Sequence, residues 1–132
     1  MIEVNDLTKQ YGEFTAVKDI SFRAEPGQVT GFLGPNGAGK TTTMRMLTGF
    51  MPPTSGQAVV AGYDVFENSM EVRRRVGYLP ESVPLYRDMT ALDFLKYVAE
   101  IRGVPRRGEK AKEVLQRVGL TDRANSLIRA LS

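Results

Sequence analysis

Apolar and polar positions alternate over the first two dozen residues. Ile2-Glu3-Val4-Asn5-Asp6-Leu7 reads as a strand and Tyr11-Gly12-Glu13 as a turn. Ala16-Val17-Lys18-Asp19-Ile20-Ser21-Phe22-Arg23-Ala24 alternates well enough for a half-buried antiparallel strand. Pro26-Gly27 turns the chain into Gln28-Val29-Thr30-Gly31-Phe32-Leu33, a short apolar run that predicts a buried strand. The period then changes: residues 42–48 read as a helix closed by Gly49, a residue suited to the left-handed position after a helix end. Residues 51–56 are irregular, and Gln57-Ala58-Val59-Val60-Ala61-Gly62 returns to strand.

The second half is more helical. Asn68 and Glu71 have the spacing of a capping box at the head of a short helix that carries Arg73-Arg74-Arg75, a charge run expected to be a solvated face. Val76-Gly77-Tyr78-Leu79 predicts another short strand, stopped by Pro80. Thr90 and Asp93 cap the next helix, whose Phe94, Leu95, Val98 and Ile101 are spaced for one face. Gly103, Pro105 and Gly108 break it. A further helix carries Ala111, Val114, Leu115 and Val118 on one side and ends at Gly119, with Glu113 and Arg117 spaced to pair across one turn. Residues 121–132 predict a last short helix and a connector. The order of elements describes an α/β nucleotide-binding core, with an antiparallel flap before it and a helical piece after it.

Composition narrows the classes without choosing among them. A chain of 132 residues suits one domain, and 42% hydrophobic with 25% charged residues is ordinary for a globular chain. No apolar run approaches membrane-spanning length, and the first residues lack the basic start and apolar stretch of a signal peptide. With no cysteine, disulfides and thiolate metal sites are excluded; with no histidine, so is every mechanism that needs an imidazole from these residues. A net charge of +3 permits anionic partners without requiring them.

The chemistry is concentrated in Gly34-Pro35-Asn36-Gly37-Ala38-Gly39-Lys40-Thr41, which fits the phosphate-binding loop G-x-x-x-x-G-K-[ST]. Its glycines allow positive φ, so that successive N–H groups turn inward as an anion nest opening onto a helix N-terminus. Lys40 places an ammonium among the β- and γ-phosphate oxygens, and Thr41 offers a hydroxyl to Mg²⁺. The predicted strand before the loop and helix after it supply the required order.

Beyond the loop, several stretches occur in a telling sequence: Tyr11-Gly12, Ala16-Val17-Lys18-Asp19-Ile20-Ser21-Phe22, the loop extended to Thr42, Thr54-Ser55-Gly56, and Val76-Gly77-Tyr78-Leu79-Pro80-Glu81. Together they resemble the N-terminal half of an ABC-transporter ATP-binding subunit. Tyr78-Leu79-Pro80-Glu81 and Pro84-Leu85-Tyr86 are similar to the bacterial multidrug and gliding-type exporter branch. The resemblance implies a P-loop NTPase (RecA-like) α/β core with an antiparallel β flap over residues 1–82, and the start of a helical subdomain over 83–132, the domain being incomplete. It implies ATP and Mg²⁺ as ligands. Tyr11 would stack on adenine, Gly34, Pro35, Asn36, Gly37, Ala38, Gly39, Lys40, Thr41 and Thr42 would hold the phosphates, and Thr41 would ligate Mg²⁺. Glu81 stands where the family most often has glutamine. It keeps an oxygen for the metal or the attacking water but loses the amide donor and adds charge, so Lys40 and Glu81 are the catalytic candidates. The acid at Asp64 ends an apolar run as a Walker B strand does, but comes too soon after the loop, and belongs to the flanking sheet in the family.

A complete enzyme of this kind also needs a Walker B strand ending in Asp-Glu, a Leu-Ser-Gly-Gly-Gln signature and a switch histidine. Leu131-Ser132 would open the signature; the rest is absent from these residues. The expectation is nucleotide binding without efficient hydrolysis, by part of a protein that couples ATP to export through a transmembrane permease subunit. That protein would sit on the cytoplasmic face of the inner membrane and pair head to tail with a second ATP-binding subunit. Apolar parallel-sheet edges left open by the chain should make it marginal alone or lead it to pair with another copy. Three rivals stay open: a non-transport ABC ATPase working as a nucleic-acid- or ribosome-associated module, although no strongly basic stripe points to nucleic acid; a GTPase or small-molecule kinase; and a fragment that binds nothing.

Overall fold

The computed structural model describes residues 1–131 and divides them between two compact units, residues 1–79 and 80–131. The first unit is built on a four-stranded antiparallel sheet. Its strands are β1 (Ile2–Tyr11), β2 (Phe14–Ala24), β3 (Ser55–Val60) and β4 (Tyr63–Asp64), in the order β2-β1-β3-β4. Helices α1 (Lys40–Leu47) and α2 (Ser69–Arg75) complete it. The predicted first strand runs four residues further than its alternation suggested, to Tyr11. There a two-residue turn with Gly12 at φ 59° leads straight into β2, the positive-φ geometry that twisted hairpins prefer. Ala61 and Gly62, both at positive φ, make the matching tight turn between β3 and β4.

One face of the sheet is sealed by helix and loop residues. Val4, Leu7, Val17, Ala58 and Val60 pack with Met46 and Leu47 of α1, Val65, and Val72 of α2 in a single buried cluster. The two central strands do not pair smoothly. The register of β1 against β2 and β3 shifts near Asp6, and Asp6 and Asp19 both take left-handed φ, 48° and 45°. Their polar groups are used locally: the Asp6 N–H donates to Ser21 Oγ at 2.8 Å, and Thr8 Oγ1 donates to Asp19 Oδ1 at 2.9 Å. Gly56 of β3 crosses this kink at φ 78°, where an added Cβ would collide with the Asp6 carbonyl.

Two predicted strands do not form. No strand among the described residues pairs with residues 28–33 or 76–79, and Val29 and Leu33 are 105% and 92% exposed. A strand is a relation between neighbours, and an apolar run without a neighbour stays extended but unladdered. Each run keeps an apolar contact inward: the Phe32 ring lies 5.4 Å from that of Phe22, and Val76 packs against the buried cluster. The capping box at α2 does not close either. Asn68 caps with its carbonyl, taking the N–H of Glu71 and Val72, while the Glu71 carboxylate is claimed by Arg74 and Arg75, each at 2.6 Å. The arginine run is exposed as expected, but its guanidinium groups are bonded locally. Arg73 donates from Nε and Nη2 to the Gly49 carbonyl at 2.9 and 2.6 Å and lies over Phe50.

The second unit is a pair of helices, α3 (Ala91–Ile101) and α4 (Arg107–Arg117), with short 3₁₀ turns at Thr121–Arg123 and Ile128–Ala130. The last predicted helix is thus only these two turns, because Leu127 is held extended by bridging to Thr90. Thr90 caps α3 through its hydroxyl, accepting the Asp93 N–H at 3.1 Å and donating to the Asp93 carboxylate at 2.8 Å. This bond and Lys96 hold the Asp93 carboxyl below its ordinary value. Ala111 and Leu115 are buried, but Ile101, Val114 and Val118, expected on buried faces, are exposed. The apolar stripe of each helix is wider than the contact between two helices covers. Glu113 is closer to Lys110, at 2.6 Å, than to Arg117, at 3.9 Å. Ser132, the second residue of the expected signature start, lies outside the described residues.

Candidate phosphate-binding site

Residues 34–39 form an open loop and deliver the chain into α1 at Lys40. Two glycines shape it for different reasons. Gly37 has φ 83° and open space where a Cβ would stand, so only its backbone angle demands glycine. Gly39 has φ 82° and a Cβ there would run into the Ala16 carbonyl and lie 2.9 Å from a Val17 methyl. Gly39 therefore sits directly against β2, and the start of α1 is seated on the sheet by close backbone approach. Thr43 reinforces the seat, its buried hydroxyl donating back to the Gly39 carbonyl at 3.0 Å.

Around this point the expected side chains fall as follows. The Lys40 ammonium curls over the loop and donates to the carbonyls of Gly34 and Pro35, both at 2.6 Å. Thr41 is exposed and Thr42 half-buried on the first turn of α1. Pro35, Asn36 and Ala38 are exposed along the loop, with the Ala38 N–H bonded to the Pro35 carbonyl at 3.2 Å. Tyr11 lies at the tip of the β1–β2 hairpin, two residues beyond Lys9, whose partner in β2 is the same Val17 that touches Gly39. That places the tyrosine about 7 Å along the strand from the loop's seat. Glu81 belongs to the second unit, where it is exposed.

The arrangement suits a polyphosphate. The loop is exposed, the first turn of α1 presents unpaired N–H groups, and the ammonium rests on carbonyls that an anionic oxygen would replace as the stronger, charge-assisted acceptor. Among the described residues there is no cluster of three or more acidic, histidine or cysteine side chains to cage a metal. Mg²⁺ keeps several waters and is usually held by one or two carboxylates together with substrate phosphates. In phosphate-loop proteins the hydroxyl after the lysine is a further ligand, and Thr41, exposed on the first turn of α1, stands at that position. Asp64 is accounted for by structure. Burial pushes its carboxyl up, but the N–H groups of Glu67 and Phe66 and the Gln57 amide outweigh this and hold it below its ordinary value. It is the hub of the turn after β4, not a metal ligand in a parallel sheet.

Lys9 and Met51 were not singled out by the sequence reading, and Ala16 and Val17 were read only as strand and as part of the family resemblance, not as neighbours of the loop. The signal for the last two was present in Gly39, since a glycine at a fixed loop position implies a close neighbour as well as a backbone angle.

A profile of the family described as ABC transporter matches residues 17–132. The chain is 38% identical over 135 residues to the linearmycin resistance ATP-binding protein of Bacillus subtilis, covering 100% of this chain and 43% of that one. It is 41% identical over 128 residues to the bacitracin transport ATP-binding protein of Bacillus licheniformis, covering 97% and 42%. Among solved structures, an ATP-binding subunit of an ABC transporter superposes with a TM-score of 0.83 at 28% identity, over 100% of this chain and 56% of that one. The chain thus spans well under two thirds of each of these relatives. The superposition spans the whole chain, so this chain has the fold of part of that ATP-binding subunit.

Proposed function

The chain belongs to the ABC transporter family, and on that premise we propose that it binds ATP with Mg²⁺ at residues 34–42, as the ATP-binding part of an exporter. The observation that carries the reading is the seating of Gly39 on β2, which holds the loop open at the head of α1. The N–H groups from Asn36 to Thr42 take phosphate oxygens, Lys40 leaves the Gly34 and Pro35 carbonyls for the β- and γ-phosphates, and Thr41 gives its hydroxyl to Mg²⁺. Tyr11 stacks on the adenine. Glu81 supplies a carboxylate oxygen to the metal or to the attacking water.

ATP brings the phosphoanhydride to be cleaved, and Mg²⁺ neutralises charge on its oxygens. The residues of this chain bind and position; none is placed as a general base, and no histidine is available. Nucleotide binding without efficient turnover follows. The names of the two bacterial relatives, resistance and transport, support export as the direction. The proposed partners are a transmembrane permease subunit and a second ATP-binding subunit arranged head to tail, with no direct nucleic-acid contact, at the cytoplasmic face of the inner membrane. No helix among the described residues is long and apolar enough to cross a membrane.

Calorimetric titration of the chain with MgATP tests the site. Lys40→Ala should weaken binding at least about tenfold, because charge-assisted hydrogen bonds to phosphate are lost. Equal affinity for the two proteins would remove the proposal. Steady-state phosphate release by the wild-type chain, abolished in Lys40→Ala, would instead remove the claim that turnover needs more than these residues.

A further inference from the structure

An exposed tyrosine at a hairpin tip is ordinarily a poor platform, since its ring must be ordered before anything stacks on it. Tyr11, 48% exposed, is already ordered here. Its hydroxyl reaches Met51 Sδ at 3.3 Å, and the Lys9 ammonium stands over its ring, 5.5 Å from the centroid. Lys9 is two residues away on the same strand, so it shares a face of β1 with Tyr11. Its ammonium is itself fixed, donating to the Pro52 carbonyl at 2.7 Å. The same strand end is laced further to the segment after α1: the Gln10 N–H donates to Thr54 Oγ1 at 3.0 Å, and the Thr54 N–H to the Thr8 carbonyl at 2.8 Å.

Met51 and Pro52 lie immediately beyond the C-terminal end of α1, where the Phe50 and Met51 N–H groups return to the Arg45 carbonyl at 2.8 and 3.3 Å. One short helix therefore carries the phosphate loop at its head and the anchors of Tyr11 at its exit. The distance between ring and loop is set by that helix and by β2, not by a free hairpin.

We propose that Lys9 and Met51 are positioning residues for nucleotide binding, holding Tyr11 as a stacking platform with one face closed by the lysine and the other open to the base. This rests on the reading of residues 34–42 and Tyr11 as an ATP site. Lys9 acts through the ring, closing one face and sparing the ligand the cost of ordering it. Its effect should be felt by the base and not by the phosphates.

The test compares MgATP with magnesium triphosphate, which offers the phosphates without the base, at one ionic strength. In the wild-type chain ATP should bind the tighter of the two, and Tyr11→Ala should erase the difference. Lys9→Met should weaken ATP about two- to fivefold and leave triphosphate unchanged. Lys9→Arg, which keeps a cation over the ring, should restore ATP binding. Met51→Leu, which keeps apolar volume but removes the sulfur, should shift ATP in the same direction by less. Retained triphosphate binding shows that each variant is folded. If Lys9→Met weakens both ligands equally, the lysine is a simple charge for phosphate and the proposal is overturned. It is overturned too if neither ligand responds, or if Tyr11→Ala leaves ATP untouched. If the wild-type chain binds neither ligand, or Lys40→Ala affects neither, the ATP site itself is wrong and this proposal goes with it.

Discussion

β1 and residues 28–33 are both rich in the apolar residues that strands prefer, yet one is the centre of the sheet and the other is unpaired. β1 has a neighbour on each side, β2 along most of its length and β3 over its first half. The paired sheet lets Met46, Leu47, Val65 and Val72 cover Val4 and Leu7, and it tolerates even the kink at Asp6, because Ser21 and Gly56 fit around it. Residues 28–33 have Phe22 for one aromatic contact and nothing for Val29 or Leu33. The difference lies in partners, not in propensity. It also says what steadies the phosphate loop. The segment leading into it contributes no ladder, so the loop is held from its far end, by Gly39 against β2 and by Met46 and Leu47 in the core.

The most damaging change should be Gly56→Ala. It combines a left-handed φ with a Cβ driven into the Asp6 carbonyl, and a loss of about 4 kcal/mol of unfolding free energy is expected. Urea denaturation followed by circular dichroism measures it; a loss below about 1 kcal/mol would mean that the kink yields freely and that β1 is less constrained than its pairing implies. Next is a paired comparison of leucines. Leu7→Ala, at a residue with 0% exposure, should cost about 2–5 kcal/mol. Leu33→Ala should change stability by less than about 0.5 kcal/mol, because that side chain is already in water. Similar losses at both positions would show that residues 28–33 are covered in solution, by a second copy if the melting temperature also rises with protein concentration.

The contrast explains what could be read from residues alone. The loop at residues 34–39 that opens onto α1, the hairpin turn at Gly12 and the Thr90 cap were legible because their geometry is local: a few consecutive residues carry both the signal and the structure. That Asp64 does not end a Walker B strand was legible for a similar reason, its spacing from the loop being too short; its place in the flanking sheet came from the family resemblance. Residues 28–33 and 76–79 were misread as strands because a strand needs a partner that local composition does not report. The capping box at Asn68 failed through competition, since Arg74 and Arg75, only three and four residues beyond Glu71, win its carboxylate. Val114 and Val118 had the right spacing, but spacing gives a helix its apolar face and not the neighbour that covers it. Arg73 was hidden in a charge run; only the fold shows that it reaches the Gly49 carbonyl at the end of α1.

A smaller effect than the losses at Gly56 and Leu7 concerns acid. Asp64 organises the turn after β4 by accepting the N–H groups of Phe66 and Glu67 at 2.8 and 3.0 Å and the Gln57 amide at 3.1 Å. Despite partial burial these bonds hold its carboxyl below its ordinary value of 3.8, so the ionised form is favoured in the folded chain. Such a group contributes stability that is fully present above the unfolded-state value and disappears as pH falls through the lower folded value. Asp64→Asn keeps the shape and an acceptor oxygen but not the charge, so the difference between the two proteins isolates the ionised carboxylate from Glu71, Asp93 and Glu113, whose carboxyls are also held low. The wild-type chain should be more stable by about 1 kcal/mol near pH 6, and the gap should close as pH falls below the ordinary carboxylate value of 3.8 and Asp64 protonates. Residues 28–33 carry no titratable group, so of the two regions compared only the paired sheet carries this acid sensitivity. A gap that stays constant from pH 6 to pH 2 would mean that the turn is held by shape and not by charge.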